Sequence, residues 1–287
     1  MRAIRSMAAG VLWLLTTVLL AVALPAMWAQ QNLLSGSGYA ALAHRAAGDP
    51  QLQAAMATEL TTQVGRLSSA ADATMVSDIA KAYTASASFP AQFAAANTFA
   101  HRWLFTDSVQ AGVDPQGGRW VIDLAPMLSD AAFAQTLRDY NITLATSVPI
   151  ALTDNAPAYL RPGSLREFTV WGPWVSWSLA ALTAATALLL LYTADRRGKA
   201  LAALGVSALT VGAAGWAAME VGRRYLQTAL DDGTSGTVRR VADVMVTTAQ
   251  GSMHQWLNVT LIVGGGLVLV GVIVSLLSGL SKHPVKK

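Results

Sequence analysis

The chain has 287 residues, 53% of them apolar and only 13% charged, with no cysteine, and a mean hydropathy of +0.42. That balance sets it apart from soluble globular domains and excludes a disulfide-stapled fold. The net charge of +4 resolves, as set out below, into membrane sidedness and leaves little to suggest nucleic acid.

Four stretches contain no Asp, Glu, Lys, Arg or His: Ala8 to Ala29, Trp171 to Tyr192, Ala200 to Met219 and Leu257 to Leu280. Each is near the roughly 20 helical residues that cross a hydrocarbon core. None alternates strictly, so helices rather than a barrel are expected to satisfy the backbone in lipid. The first run, within residues 1–29, follows Arg2 and Arg5 and ends at Trp28, where an interfacial ring would sit. It is taken as an uncleaved anchor; the alternative is a secretory signal cut near "LPAMWAQ", which would leave three spans with the same sidedness.

Residues 30–170 are long enough for a domain of their own. "LLSGSGY" reads as a flexible linker. Asp49 and Pro50 then start a helix whose stripe is Leu52, Met56, Leu60 and Val64. A second helix carries Met75, Ile79 and Tyr83 on one face, and a third carries Phe89, Phe93, Ala96 and Ala100. "GGRWVIDLAPML" and "ITLATSVPIAL" are β-type runs flanking a helix over Leu128 to Asn141. Strand, helix, strand predicts a helix-rich α+β domain.

Trp171, Trp174 and Trp177 cluster at the start of the second span, an arrangement suited to an aromatic belt. The second and third runs are joined only by residues 193–199, making a hairpin over 171–219. Residues 220–256 form a second connecting segment. It holds a turn at "DDGTSG", then an amphipathic helix with Val238, Val241, Met245 and Ala249 on one face, and a break at "GSMHQW" before the last span and basic tail, 257–287. That helix could lie on the membrane or cover the large domain.

Sidedness follows from the short loops. Arg196, Arg197 and Lys199 mark the hairpin turn as cytoplasmic, which with four spans places both termini there as well. The pieces so assigned carry eight Lys or Arg against one Asp, whereas residues 30–170 carry eight basic against eleven acidic groups. The expected architecture is mainly α: a four-helix transmembrane bundle in the plasma membrane with an extracytoplasmic α+β domain between spans 1 and 2.

The order "FPAQFAAANTFAHRWL", "GGRWVIDLAPML", "ITLATSVPI", a Trp-rich approach to a span and a "DRRGKAL" hairpin resembles a family of actinobacterial integral membrane proteins of unknown function. Its blocks correspond to Phe93 to His101 and to Val121 to Leu128, although the stretch between Ala46 and Phe89 is shorter here. The resemblance implies the architecture and no activity.

Chemistry rests on few residues. Asn97 and His101 share a helical face, and Asp123 could meet them from the strand, forming a polar cluster that binds a ligand or holds helix to sheet. No second His or Cys stands at ligand spacing, so neither a metal nor a cofactor is expected. With no ionisable group inside the apolar runs, a transporter is disfavoured. The expected function is a non-catalytic scaffold or accessory subunit, in contact with the bilayer and with a membrane partner or further copies of itself. The alternative is a sensor or binder of an envelope lipid or glycan that relays to a membrane partner.

Overall fold

The computed structural model describes residues 2–67, 72–105, 121–123, 135, 149–151, 165–231 and 236–280. Helix α1 (Arg2–Ala29) runs into a π-helical turn (Gln30–Leu34), followed by α2 (Gly36–Ala46), α3 (Pro50–Leu67), α4 (Ala73–Thr84) and α5 (Phe89–Phe105). Strands β1 (Val121–Asp123) and β2 (Pro149–Ala151) precede α6 (Arg166–Thr193), α7 (Arg197–Asp231) and α8 (Gly236–Leu280). Four helices are long and apolar enough to cross a membrane, over Arg5–Leu34, Arg166–Thr193, Arg197–Tyr225 and Gly236–Ser278.

The contacts divide into two compact units. The first comprises residues 1–30, 172–224 and 251–287; the second comprises 31–171 and 225–250.

In the first unit α7 is the central helix: a third of its apolar window (33%) is buried, against 11% in each of the other three. Their outer faces carry the exposed Val11, Leu14, Val18, Leu188, Ile262 and Leu276, as expected of surfaces solvated by lipid. Helix α1 lies parallel to α7, with the Trp13 indole donating to the Ala203 carbonyl at 2.9 Å and Thr17 bonded to Ser207 at 2.7 Å. Helix α6 meets α1 where the Ser176 hydroxyl donates to the Ala26 carbonyl at 3.2 Å. Hydroxyls such as Thr16, Thr183 and Thr260 return their protons to carbonyls four residues back, so they add no unsatisfied group in lipid.

Helix α8 runs antiparallel to α7 along a seam of glycine. Gly198, Gly205 and Gly212 recur every seven residues on α7, and Leu257, Gly264 and Gly271 recur in the reverse direction on α8. Seven residues are close to two helical turns, so each set stays on one face. A methyl group at Gly205 would lie 2.6 Å from the Gly264 carbonyl oxygen, and one at Gly271 would lie 2.5 Å from the Ala202 nitrogen. The backbones are in contact because these residues have no side chains. In lipid, where apolar burial gives helices little reason to associate, close contact of this kind is a principal source of attraction.

The second unit is built on the expected α3 stripe: Leu52, Met56, Leu60 and Val64 are all buried. Asp49 caps α3 by accepting from the Gln51 amide at 2.7 Å, and Pro50 is its first residue. Phe89, Phe93, Ala96 and Ala100 of α5 are buried too. Helix α4 turns inward a face rotated from the expected one, keeping Tyr83 and Ile79 and replacing Met75 by Val76 and Ala80. Val76, Ala80 and Tyr83 join the core, Ile79 is partly buried, and Met75 remains 38% exposed. Its N-cap is Asp72, which accepts from the amides of Thr74 and Met75. Val244 of α8 completes the core, with Val241 and Met245 packed against it. The amphipathic helix therefore covers the domain, and residues 225–250 of the connecting segment belong to the same compact unit as residues 31–171.

Three expectations change. The helix is unbroken through "GSMHQW", where Met253 and Leu257 are buried. "LLSGSGY" is a packed corner: Ser35 caps α2 through the Gly38 amide, and a methyl at Gly38 would collide with the Gln31 carbonyl. The α+β domain is not supported, because the strands among the described residues are three residues each, joined antiparallel with Ile122 opposite Ile150. A ribbon of that size is no sheet layer. The helix expected over Leu128 to Asn141 lies outside the described residues except for Gln135, which is helical.

Gly264 and Gly265 give a direct test of the seam, since a methyl at Gly265 has nothing within 4 Å. Gly205→Ala and Gly264→Ala are expected to destabilise the protein by about 1–3 kcal/mol through overpacking. Gly265→Ala should be neutral or stabilise it by up to about 1 kcal/mol through helix propensity. Thermal unfolding in mild detergent measures both; equal losses at 264 and 265 would refute the seam.

Candidate functional site

Asn97 and His101 lie one turn apart on α5 and are both buried, at 7% and 6% exposure. Their polar atoms are directed at backbone carbonyls. The Asn97 amide donates to the Phe93 carbonyl at 2.9 Å, within its own helix. The His101 Nε2 donates to the Leu33 carbonyl, also at 2.9 Å, across 68 residues of chain. A carbonyl can only accept, so the imidazole carries its proton on Nε2.

The described bond of His101 is thus to the Leu33 carbonyl. Asp123 sits in β1 opposite Pro149, and the contacts of its side chain lie outside the described residues. Helix α5 packs against β1 and is tied through His101 to the π-helical turn. Where such a turn ends and α2 begins anew, carbonyls lose their helical acceptor role, and a side-chain donor can replace it.

Aromatic rings fix the imidazole in place. His101 stacks on Phe105, with centroids 4.4 Å apart and planes 27° from parallel, and meets Tyr39 of α2 at 5.0 Å. A methyl at Gly36 would make only an ordinary contact with Nδ1, at 4.0 Å. Burial lowers the His101 pKa below its ordinary 6.5, and the bond to Leu33 opposes that shift. Burial likewise raises the Tyr39 hydroxyl. The result is a neutral histidine clamped between rings, with its proton committed to structure.

The end of α5 is also tied down: the Leu165 amide donates to the Leu104 carbonyl at 3.2 Å, and the Thr169 hydroxyl reaches the Phe105 carbonyl at 3.3 Å. Among the described residues no group of three His, Cys, Asp or Glu converges as a metal site.

The tryptophans divide by environment. Trp171, Trp174 and Trp177 are 65%, 73% and 64% exposed along the first turns of α6. Trp28 is half-buried and its indole donates to the Ser252 hydroxyl at 3.3 Å, so it joins α1 to α8. A polar cluster that the sequence reading missed closes the α7–α8 seam. Trp216 stacks on His254 at 3.8 Å, 6° from parallel, and donates to Asn258 at 3.2 Å. The spacing of His254 and Asn258, one turn apart, was the available signal. Arg196, Arg197 and Lys199 are exposed in and beside the α6–α7 turn.

The lowered His101 pKa has a signed consequence. Above pH 6.5 the ring is neutral in both folded and unfolded chains; below it the unfolded chain takes up the proton first, so stability falls toward the lowered folded value. His101→Phe keeps the stacking and removes the donor. It should cost about 1–3 kcal/mol at pH 8 by stranding the Leu33 carbonyl and should flatten the loss between pH 8 and 5.5. Thermal unfolding of both proteins across that range decides it, and parallel profiles would reject the assignment. No family model, curated protein or solved structure matches the chain.

Proposed function

We propose that this is a multi-pass protein of the cell envelope, related to the actinobacterial family it resembles, with both termini cytoplasmic and its helical domain extracytoplasmic. In this reading it is a non-catalytic scaffold or accessory subunit of a membrane complex. The observation that carries it is the use made of Asn97 and His101, the most reactive-looking pair in the domain. Both are buried and committed to backbone carbonyls. Chemistry at a histidine needs a nitrogen that a substrate can reach, whereas this ring is 6% exposed and packed against Tyr39 and Phe105.

Two further features support the reading. The basic residues concentrate on the terminal segments and the 193–199 turn, as the positive-inside rule requires of cytoplasmic loops. The exposed Trp171, Trp174 and Trp177 suit a membrane interface on the opposite side.

The cysteine-free chain simplifies a test of sidedness. Gln51→Cys should react with an impermeant maleimide on intact cells, while Ala194→Cys should react only after the membrane is opened; the reverse pattern would invert the topology. For the role itself, the full-length protein is crosslinked in its native membrane, purified in mild detergent and analysed by mass spectrometry. A distinct membrane protein at fixed stoichiometry is expected. A protein that emerges alone, carrying one enriched lipid or glycan, would replace the scaffold reading with that of a binder.

A further inference from the structure

At the end of the bundle where α1 begins and α6 turns into α7, a cleft of about 530 Å³ opens between the three helices. Its rim is formed by Arg5, Asp195, Arg196 and Lys199, and its floor by Gly10, Trp13 and Ala203. Arg5 is paired with Asp195 at 3.1 Å, which orients the guanidinium and offsets its charge. Arg196 and Lys199 then remain as surplus positive charge on the same rim.

These two cations are poorly placed for α7 itself. Arg196 immediately precedes the helix, and its carbonyl accepts from the amides of Lys199 and Ala200. The start of a helix bears partial positive charge, so basic side chains there are repelled rather than stabilised. An anion between them would relieve that repulsion. The floor has the complementary character. Gly10 faces open space, with nothing within 4 Å of the position a methyl would take, and the Trp13 indole is held against α7 by its bond to the Ala203 carbonyl. A cationic rim above an apolar trough between membrane helices matches an amphiphile with a phosphate at one end.

We propose that this cleft binds one anionic phospholipid, its phosphate between Arg196 and Lys199 and an acyl chain along Gly10 and Trp13. The site requires only that the four helices span a bilayer, and stands apart from the scaffold reading. A topology signal alone would call for charge without a trough; here the two coincide.

Native mass spectrometry of the full-length protein, titrated with dioleoyl phosphatidylglycerol or dioleoyl phosphatidylcholine, tests it. The wild type should retain one phosphatidylglycerol at least tenfold more tightly than phosphatidylcholine. Arg196→Gln with Lys199→Gln should weaken retention about thirtyfold, the effect of two basic residues at an anionic surface. Gly10→Leu, which fills the trough and keeps every charge, should also weaken phosphatidylglycerol retention at least tenfold. Arg45→Gln with Arg66→Gln, an equal charge change on α2 and α3, should not. Unfolding temperatures identify any variant that fails to fold, and the preference is then read from the other variant. Equal retention of the two lipids, or a Gly10→Leu protein that binds like wild type, would overturn the proposal. Displacement of the lipid by millimolar inorganic phosphate would assign the rim to a soluble anion instead.

Discussion

The bundle depends on how closely α7 and α8 approach. At Gly205 and Gly264, and again at Gly198 and Gly271, backbone meets backbone with no space for a methyl group. Lipid chains are as apolar as leucine, so burying large side chains would gain little over leaving them in the bilayer. Dispersion contact at full packing density is what remains, and small residues are the means of achieving it. Once α7 is committed to α8 on one side, α1 can occupy another, and the bonds Trp13 to Ala203 and Thr17 to Ser207 fix its register.

The second unit is held by large apolar side chains instead. Its core consists of large side chains drawn from α3, α4 and α5, with Leu52, Leu60 and Phe89 at 0% exposure, each of which stabilises the fold by roughly 1.5–3 kcal/mol. The core is closed by Val244, which lies far along the chain on α8. The same 45-residue helix thus presents glycine where its neighbour is another apolar helix and β-branched or sulfur side chains where it covers the hydrophobic core of the second unit. A single rule of hydrophobic patterning would have read both stretches alike.

Legibility in the sequence followed that distinction. The α3 stripe was readable because Leu52, Met56, Leu60 and Val64 are large and the intervening positions are polar or small. On α4 two apolar faces competed, Met75 with Ile79 and Val76 with Ala80, and only the contacts of the folded unit select the second. Gly251 suggested a break because glycine weakens a helix in isolation, but burial of Met253 and Leu257 outweighs that propensity. Which glycines of the last span face α7 was not legible, since Gly264 touches it and Gly265 and Gly266 do not. The facing set on α7 was hidden among other small residues. Membership of a seam depends on the partner, and one sequence does not name the partner.

His101 shows the same limit at the scale of a single bond. Residue type and spacing identified it as buried and polar, and a carboxylate was the obvious partner to seek. The structure supplies a main-chain carbonyl, which every residue carries and no composition reveals. That carbonyl is available because the chain passes through a π-helical turn between α1 and α2. Gly38 makes this turn possible by letting α2 lie directly on Gln31, and Ser35 restarts the helix by capping it. Turn, cap, glycine and histidine therefore form one device: the turn presents the part-buried Leu33 carbonyl, and the imidazole supplies a donor to it. The residues that looked most like a catalytic site are the ones the fold uses to make a corner in its chain.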